Sequence, residues 1–339
     1  RPKPAFLAAL EREFGFAPPR AHGFSTIEAI QAMLDGRVEV FIGLGGNFAV
    51  ASPDTSRVEE ALGRQGLTVH VATKLNRTHL LGRESLLLPC LGRTERDLQG
   101  GRPQFVTVED SMAQVHRSEG RLAPASEQLR SEIAIVAGLA RAALGAGTRV
   151  RWEELVQDYD RIRDRIARVV PGCEDMNRRV REPGGFVLPR PPAERRFETT
   201  SGRAEMCCVP LPRIDVPAGR LLLMTIRSHD QYNTTLYSDD DRYRGIRGDR
   251  RVVLVHPDDL AELGLEEGAR VDVTSHFTGP AGEETRTVRG FGLRPYDVPR
   301  GCAAAYFPEA NPLVPLAHHA EGSLTPAYKS VVVSFGPSR

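Results

Sequence analysis

Apolar and polar positions alternate between two rhythms over the first half of the chain. Ala5 to Phe14 reads as a short helix entered through Pro4. Ser25 or Thr26 caps a second helix, with Glu28 near its start, that runs to Asp35-Gly36. Residues 38–42 (VEVFI) read as a strand bounded by Gly36 and Gly43, and Ser52-Pro53-Asp54 opens a helix through Leu62. Residues 67–71 form a second strand after Gly66, and 85–89 are a third apolar stretch. Strands alternating with helices at this spacing predict a Rossmann-like parallel sheet with helices on its faces. Two amphipathic helices follow. One is capped by Ser126, carries Leu129, Ile133, Val136, Ala137 and Ala140, and stops at Gly145. The other runs from about Trp152 to Val169 with Leu155, Tyr159, Ile162 and Ile166 on one stripe, and Pro171 ends it. Its Asp158, Asp160, Arg161, Arg163, Asp164 and Arg165 read as a solvated face.

Residues 183–196, rich in Pro, Gly and Arg, read as a linker, and the pattern changes after it. Residues 197–205 (FETTSGRAE) read as a hairpin. Short strands at 221–226, 251–255, 270–275, 285–291 and 330–335, separated by turns, predict a small β-barrel. The expected architecture is an α/β part over 1–196 followed by a barrel domain over 197–339.

Polar residues gather where these strands end. In parallel sheets ligands sit beyond the carboxyl ends of strands, where glycines let the backbone come close. Gly43-Leu44-Gly45-Gly46-Asn47 lies at such an end, although it is not the GxGxxG fingerprint and a plain tight turn fits it equally well. Thr73, Lys74, Asn76, Arg77, Thr78 and His79 repeat the clustering after the next strand. The largest concentration follows strand 221–226, where Arg227, Ser228, His229, Asp230, Gln231, Tyr232, Asn233 and Thr234 come in succession. So many different hydrogen-bonding heads with little Gly or Pro suit a ligand rich in phosphate and heterocyclic edges. A turn capped by its own side chains is the plainer alternative.

The T-x-R-S-H-x-Q-x-N-T pattern that starts at Thr225 resembles the start of the C-terminal cofactor-binding domain of molybdopterin oxidoreductases, the DMSO reductase superfamily. It is most similar to the formate dehydrogenase alpha-subunit-like branch. Further matches are His256-Pro257 with Asp259, Leu263-Gly264-Leu265 with Gly268, the stretch Tyr306 to Leu313, and Thr325-Pro326-Ala327-Tyr328-Lys329. The resemblance covers essentially the whole chain and implies that the second domain is a double-psi β-barrel. It also implies a bound molybdopterin guanine dinucleotide carrying molybdenum or tungsten. Backbone amides at Gly45, Gly46 and Asn47 would receive pyrophosphate charge, and Asn47, Thr73, Asn76 and Thr78 carry over by position. Arg227 would pair with phosphate, with Ser228, His229 and Thr234 beside it in the motif. Gln231, Asn233 and Asn311 would bond pterin or guanine edges, Lys329 would supply a point charge and Tyr328 an aromatic wall.

The resemblance is to the C-terminal half of a catalytic subunit, so the metal ligand and any iron–sulfur cluster belong to a missing N-terminal half. No catalytic residue is therefore named, and this stretch alone is expected to be inactive. The expected partners are that N-terminal half, a small-molecule redox substrate and an electron-transfer subunit. The competing reading is a non-catalytic scaffold or electron-transfer-complex subunit that keeps the fold without pterin.

Composition adds bounds. The chain of 339 residues has 40% hydrophobic and 26% charged residues and a formal net charge of +1, which gives no general attraction to nucleic acid. No apolar run approaches the roughly 20 residues of a membrane span. The start has no signal-peptide core, so a cytoplasmic location is expected. The five cysteines include no CxxC pair, against a disulfide framework or a metal site held by this chain alone.

Overall fold

The computed structural model describes residues 3–211, 214–234, 236–279 and 282–338. Two compact units emerge, neither contiguous in sequence: one of 1–23, 71–74 and 88–210, the other of 24–70, 75–87 and 211–339.

The second unit holds most of a small sheet. Helix α1 (Thr26–Leu34) starts in a capping box: Glu28 N donates to Ser25 Oγ at 3.3 Å and Ser25 N to the Glu28 carboxylate at 2.7 Å. After it come β1 (Val40–Leu44), α2 (Phe48–Ala51), α3 (Thr55–Gly63), β2 (Leu67–Ala72) and β3 (Glu84–Pro89). The strand order is β1-β2-β3, and like ends meet, with Leu67 N bonded to Glu39 O and Arg83 N to Gln65 O. The sheet is parallel, as the alternation of elements predicts. Ile30, Met33 and Leu34 of α1 pack with Val58, Ala61 and Leu62 of α3. On β1 the period of two leaves Val40, Ile42 and Leu44 exposed together.

The same unit contains a closed six-stranded barrel. Its elements are β4 (Leu221–Ile226), β5 (Val252–Val255), helix α4 (Pro257–Glu262), β6 (Arg270–Gly279), β7 (Gly282–Pro295), β8 (Cys302–Tyr306) and β9 (Val331–Pro337). The order around the barrel is β5-β7-β6-β9-β4-β8. β5 pairs with β7, and β8 with β4, in parallel; the other described pairs are antiparallel. Sequence periodicity finds five of these strands and misses β8. Three successive alanines carry little strand preference. They fit because β8 is covered on both faces: Ala303 and Ala305 join Leu223, Val253 and Val333 inside, while Ala304 and Tyr306 lie with Ile246, Val252 and Leu254 outside.

The first unit corrects several expectations. The helix read from Ser126 begins at Glu132 and is capped by Ser131, whose Oγ accepts from Ala134 N at 3.2 Å; Ser126 instead caps a turn at Gln128 N. The long helix is broken into Trp152–Gln157 and Tyr159–Val169 because Asp158 leaves helical backbone and caps Asp160 N. Arg163 is not on a solvated face. It is buried, bonded to Asn177 and the Phe105 carbonyl, with its guanidinium 3.9 Å from the Phe105 ring. Residues 183–196 are only partly a linker, since Phe186 is buried in a strand paired to Gln114–Ser118. Gly185 allows this: a Cβ there would stand 2.0 Å from Val115 O. Among the described residues 197–205 form a turn, with no strand pairing.

Candidate functional site

Three segments meet at one end of the barrel. Because β4 and β8 are parallel with Tyr306 opposite Ile226, the loops starting at Arg227 and Phe307 emerge side by side. β9 runs antiparallel to β4, and Thr225 N donates to Tyr328 O, so Tyr328-Lys329 arrives at the same end. The Arg227 guanidinium is 5.9 Å from the Phe307 ring centre, and Phe307 meets Tyr328 edge-on at 6.0 Å. The Lys329 ammonium donates to Thr225 O. Its pKa is held below the ordinary lysine value by desolvation first and by the Arg227 charge second. Neither cation has a carboxylate partner among the described residues. The two cations are near enough for the charge of Arg227 to act on Lys329.

A residue absent from the sequence reading holds this end together. Arg250, buried, donates to Ser228 Oγ, Gln231 Oε1 and Phe307 O, each at 2.9 Å, and to Glu309 at 2.8 Å. The rings of Tyr237 and Tyr306 lie 4.6 Å from its guanidinium. The Gln231 side chain also accepts from Ser228 N at 3.1 Å and donates to Asn233 O and Phe307 O, both at 2.7 Å. Both amide hydrogens and the carbonyl oxygen are thus engaged within the chain, so Gln231 braces the loop. Asn233 follows with φ +49°, the left-handed conformation that Asn tolerates. Thr234 is buried.

His229 belongs to a second brace. Its Nδ1 lies 3.3 Å from Asp241, which also accepts from Tyr306 Oη at 2.9 Å and Arg244 at 2.6 Å. Burial pushes the Asp241 carboxyl up, but Arg244, Tyr306 and His229 together hold it below the usual carboxylate range. Arg244 also donates to Arg227 O at 3.1 Å, fixing the backbone from which the Arg227 side chain projects. Nothing in the charged run 238–251 singled out Arg250 or Asp241, because run composition does not tell a buried arginine from a solvated one.

The strand-end loops join this region through α2. Gly45 and Gly46 have φ of +67° and +72° with open space around them, so the turn needs glycine for its backbone and not for room. Asn76 donates to Gly46 O at 2.8 Å and accepts from Thr78 N at 3.0 Å. Thr78 Oγ1 donates to Asn47 Oδ1 and accepts from Ala49 N. At the other end of the same short helix, Tyr328 Oη donates to Ala51 O at 3.0 Å and Asn311 Nδ2 to Val50 O at 2.8 Å. Asn311 Oδ1 is buried without a partner among the described residues. Asp54, left-handed and buried, then pairs with Arg286 of β7 at 2.8 and 2.9 Å. The candidates near β1 and those at the barrel end are thereby one helical turn apart. Thr73 is exposed and belongs to the other unit. Behind Asn76, the buried His79 accepts from its backbone amide at 3.4 Å, and the His70 ring lies 4.6 Å away; burial lowers the pKa of both.

A cleft of about 800 Å³ lies between helices of the first unit around Arg141, Thr148 and Trp152, and none of the residues above lines it. Among the described residues no three His, Cys, Asp or Glu side chains are placed to hold a metal ion. The cysteines are free thiols, and burial raises Cys90 to about 11. Among the described residues no helix is long and apolar enough to cross a membrane.

Residues 221–332 match the family model of the molydopterin dinucleotide binding domain. An uncharacterised oxidoreductase of Mycobacterium tuberculosis is 56% identical over 336 residues, 98% of this chain and 43% of that protein. The protein YdeP of Escherichia coli is 43% identical over 343 residues, 100% of this chain and 45% of that protein. The chain therefore spans under half the length of these curated relatives. Acetylene hydratase from Pelobacter acetylenicus is similar in fold, with a TM-score of 0.59 at 16% identity over 98% of this chain and 50% of that one.

Proposed function

The chain belongs to the molybdopterin oxidoreductases, of which it is a C-terminal part, and on that premise we propose that it binds the guanine dinucleotide form of molybdopterin in a formate dehydrogenase-like enzyme. The observation that carries this reading is the pair Arg227 and Lys329, two cations beside Phe307 and Tyr328 with no carboxylate partner among the described residues. Guanidinium and ammonium groups left uncompensated suit the phosphates of a dinucleotide, and the orphaned Asn311 Oδ1 suits a donor from its heterocycles. Asn47, Asn76 and Thr78 serve on this reading through the shape of their loop, since their side chains bond one another. When bound, the group supplies two-electron chemistry at molybdenum or tungsten. The residues here bind and orient it.

The dinucleotide-binding domain is taken as 197–339, and the two parallel strand pairs of its barrel favour a double-psi topology. The enzyme is proposed to work in the cytoplasm, to pass electrons to a partner subunit, and to need an N-terminal half that this stretch lacks. The open apolar face of β1 at Val40, Ile42 and Leu44 supports a further stretch of polypeptide packed there. This part alone is proposed to be inactive.

A second reading, a subunit that keeps the fold without pterin, is favoured by the internal bonding of Gln231 and His229, which need no ligand to explain them. Metal and pterin analysis of the full-length protein from its own cells separates the two. On the first reading Arg227→Ala lowers pterin occupancy, because losing a buried charge-assisted contact costs about 2–5 kcal/mol, and Arg227→Lys restores only part of it. Unchanged pterin content in Arg227→Ala sinks the assignment of that residue. Absence of pterin from the native protein sinks the reading.

A further inference from the structure

A separate cleft of about 220 Å³ opens on the outside of the barrel, where the loop before β5 meets β6 and β7. Arg247, Arg270 and Arg294 line it, with Asp249 as the one carboxylate among its lining residues. Arg270 pairs with Asp249 at 2.8 Å and donates to Gly290 O at 2.7 Å. The side chains of Arg247 and Arg294 make no hydrogen bond or ion pair among the described residues. Glycines keep the floor bare: a Cβ on Gly268 would stand 3.8 Å from Arg294 Nη1, and one on the buried Gly292 would stand 4.0 Å from the Arg270 guanidinium. Three guanidiniums against one carboxylate leave two positive charges in a concave site. The whole chain is nearly balanced, with a formal net charge of +1.

We propose that this cleft is a binding site for a phosphate dianion, free or as the phosphoryl group of a small molecule. Planar guanidinium forks match phosphate oxygens two at a time, and a dianion of that charge neutralises the surplus. The cleft is distinct from the site at Arg227. Yet the two share one loop, because Asp249 faces the cleft while the next residue, Arg250, braces Ser228 and Gln231. A surplus of exposed arginine alone is an ordinary solvated surface. The bare glycine floor and the concavity are what distinguish this patch.

The test is calorimetric titration of inorganic phosphate into the full-length protein at low ionic strength, where screening is weak. One saturable site is expected. The double variant Arg247→Gln, Arg294→Gln should weaken it about tenfold or more, the loss of roughly 1.4 kcal/mol or more. Arg227→Gln should leave it unchanged. Both arginines are exposed, so a thermal melt like that of the parent protein shows the double variant to be folded. Failure of phosphate to saturate at millimolar concentration overturns the proposal. So does binding that the double variant keeps, binding that Arg227→Gln removes, or binding of succinate in place of phosphate. Because pterin content plays no part in the readout, failure here leaves the cofactor reading standing, and the converse holds.

Discussion

Replacing Arg250 by alanine tests whether the polar end of the barrel is assembled around that one side chain. Its exposure is 4% and that of its partner Glu309 is 17%, so deletion strands a carboxylate largely out of water. Breaking a buried ion pair from one side costs about 3–5 kcal/mol. Adding the neutral bonds to Ser228, Gln231 and Phe307 at about 1 kcal/mol each would double-count, because the same groups relax together. The sole tryptophan, Trp152, lies in the other unit, so its fluorescence is a poor reporter. Native-state hydrogen exchange is the better assay, read at the amides of Ser228 and Gln231, which are bonded to Gln231 Oε1 and Ser228 O. At 1.4 kcal/mol per decade, protection should fall by about a hundredfold to a few thousandfold. The double variant Arg250→Met, Glu309→Met should recover much of the loss, since no charge is then left buried without a partner. Protection within about threefold of the parent protein in Arg250→Ala, a change near 0.6 kcal/mol, would refute the reasoning.

Two further outcomes follow from buried groups in the same unit. His70 and His79 have pKa values lowered from 6.5 by burial, so near that pH the unfolded chain takes up protons that the folded chain resists. Their contribution to stability is intact above about pH 6.5 and is lost as pH falls towards the lowered values; His70→Gln should flatten that acid limb in thermal melts, and an unchanged limb would count against it. Asp54→Asn keeps the left-handed residue but removes the charge facing Arg286, and should cost about 1.5–3 kcal/mol in urea denaturation followed by barrel hydrogen exchange. A loss below about 0.5 kcal/mol would mean that the pair is solvated and not structural.

The sheet and most of the barrel were legible because their signals are local. The Ser25–Glu28 capping box, the glycines bounding β1 and the short apolar runs of β4 and β9 each act over a few residues. What failed needed knowledge of neighbours. β8 hid behind its alanines because small residues become a strand only between two covered faces. Arg163 looked solvated because nothing local shows Phe105 and Asn177 closing over it. Residues 183–196 looked like a linker because the gap over Val115 that Gly185 fills belongs to a distant strand.

The candidate site divides along the same line. The motif from Arg227 to Thr234 is polar enough to announce a ligand, but polarity alone does not say which heads are already engaged. Gln231 is fully bonded, His229 is held by Asp241, and Ser228 is held by Arg250. A pattern of this kind therefore carries two messages at once: part of it builds a rigid loop, and part of it is presented by that loop. The Arg227 side chain makes no hydrogen bond among the described residues, while its own carbonyl is fixed by Arg244. Lys329, from the far end of the chain, shares its surroundings and feels its charge. On the proposed reading, the preorganised backbone lowers the ordering cost of binding and the uncompensated charge supplies the affinity. On that reading, the division lets the stretch be recognised as a whole although several of its side chains are spent on bracing it.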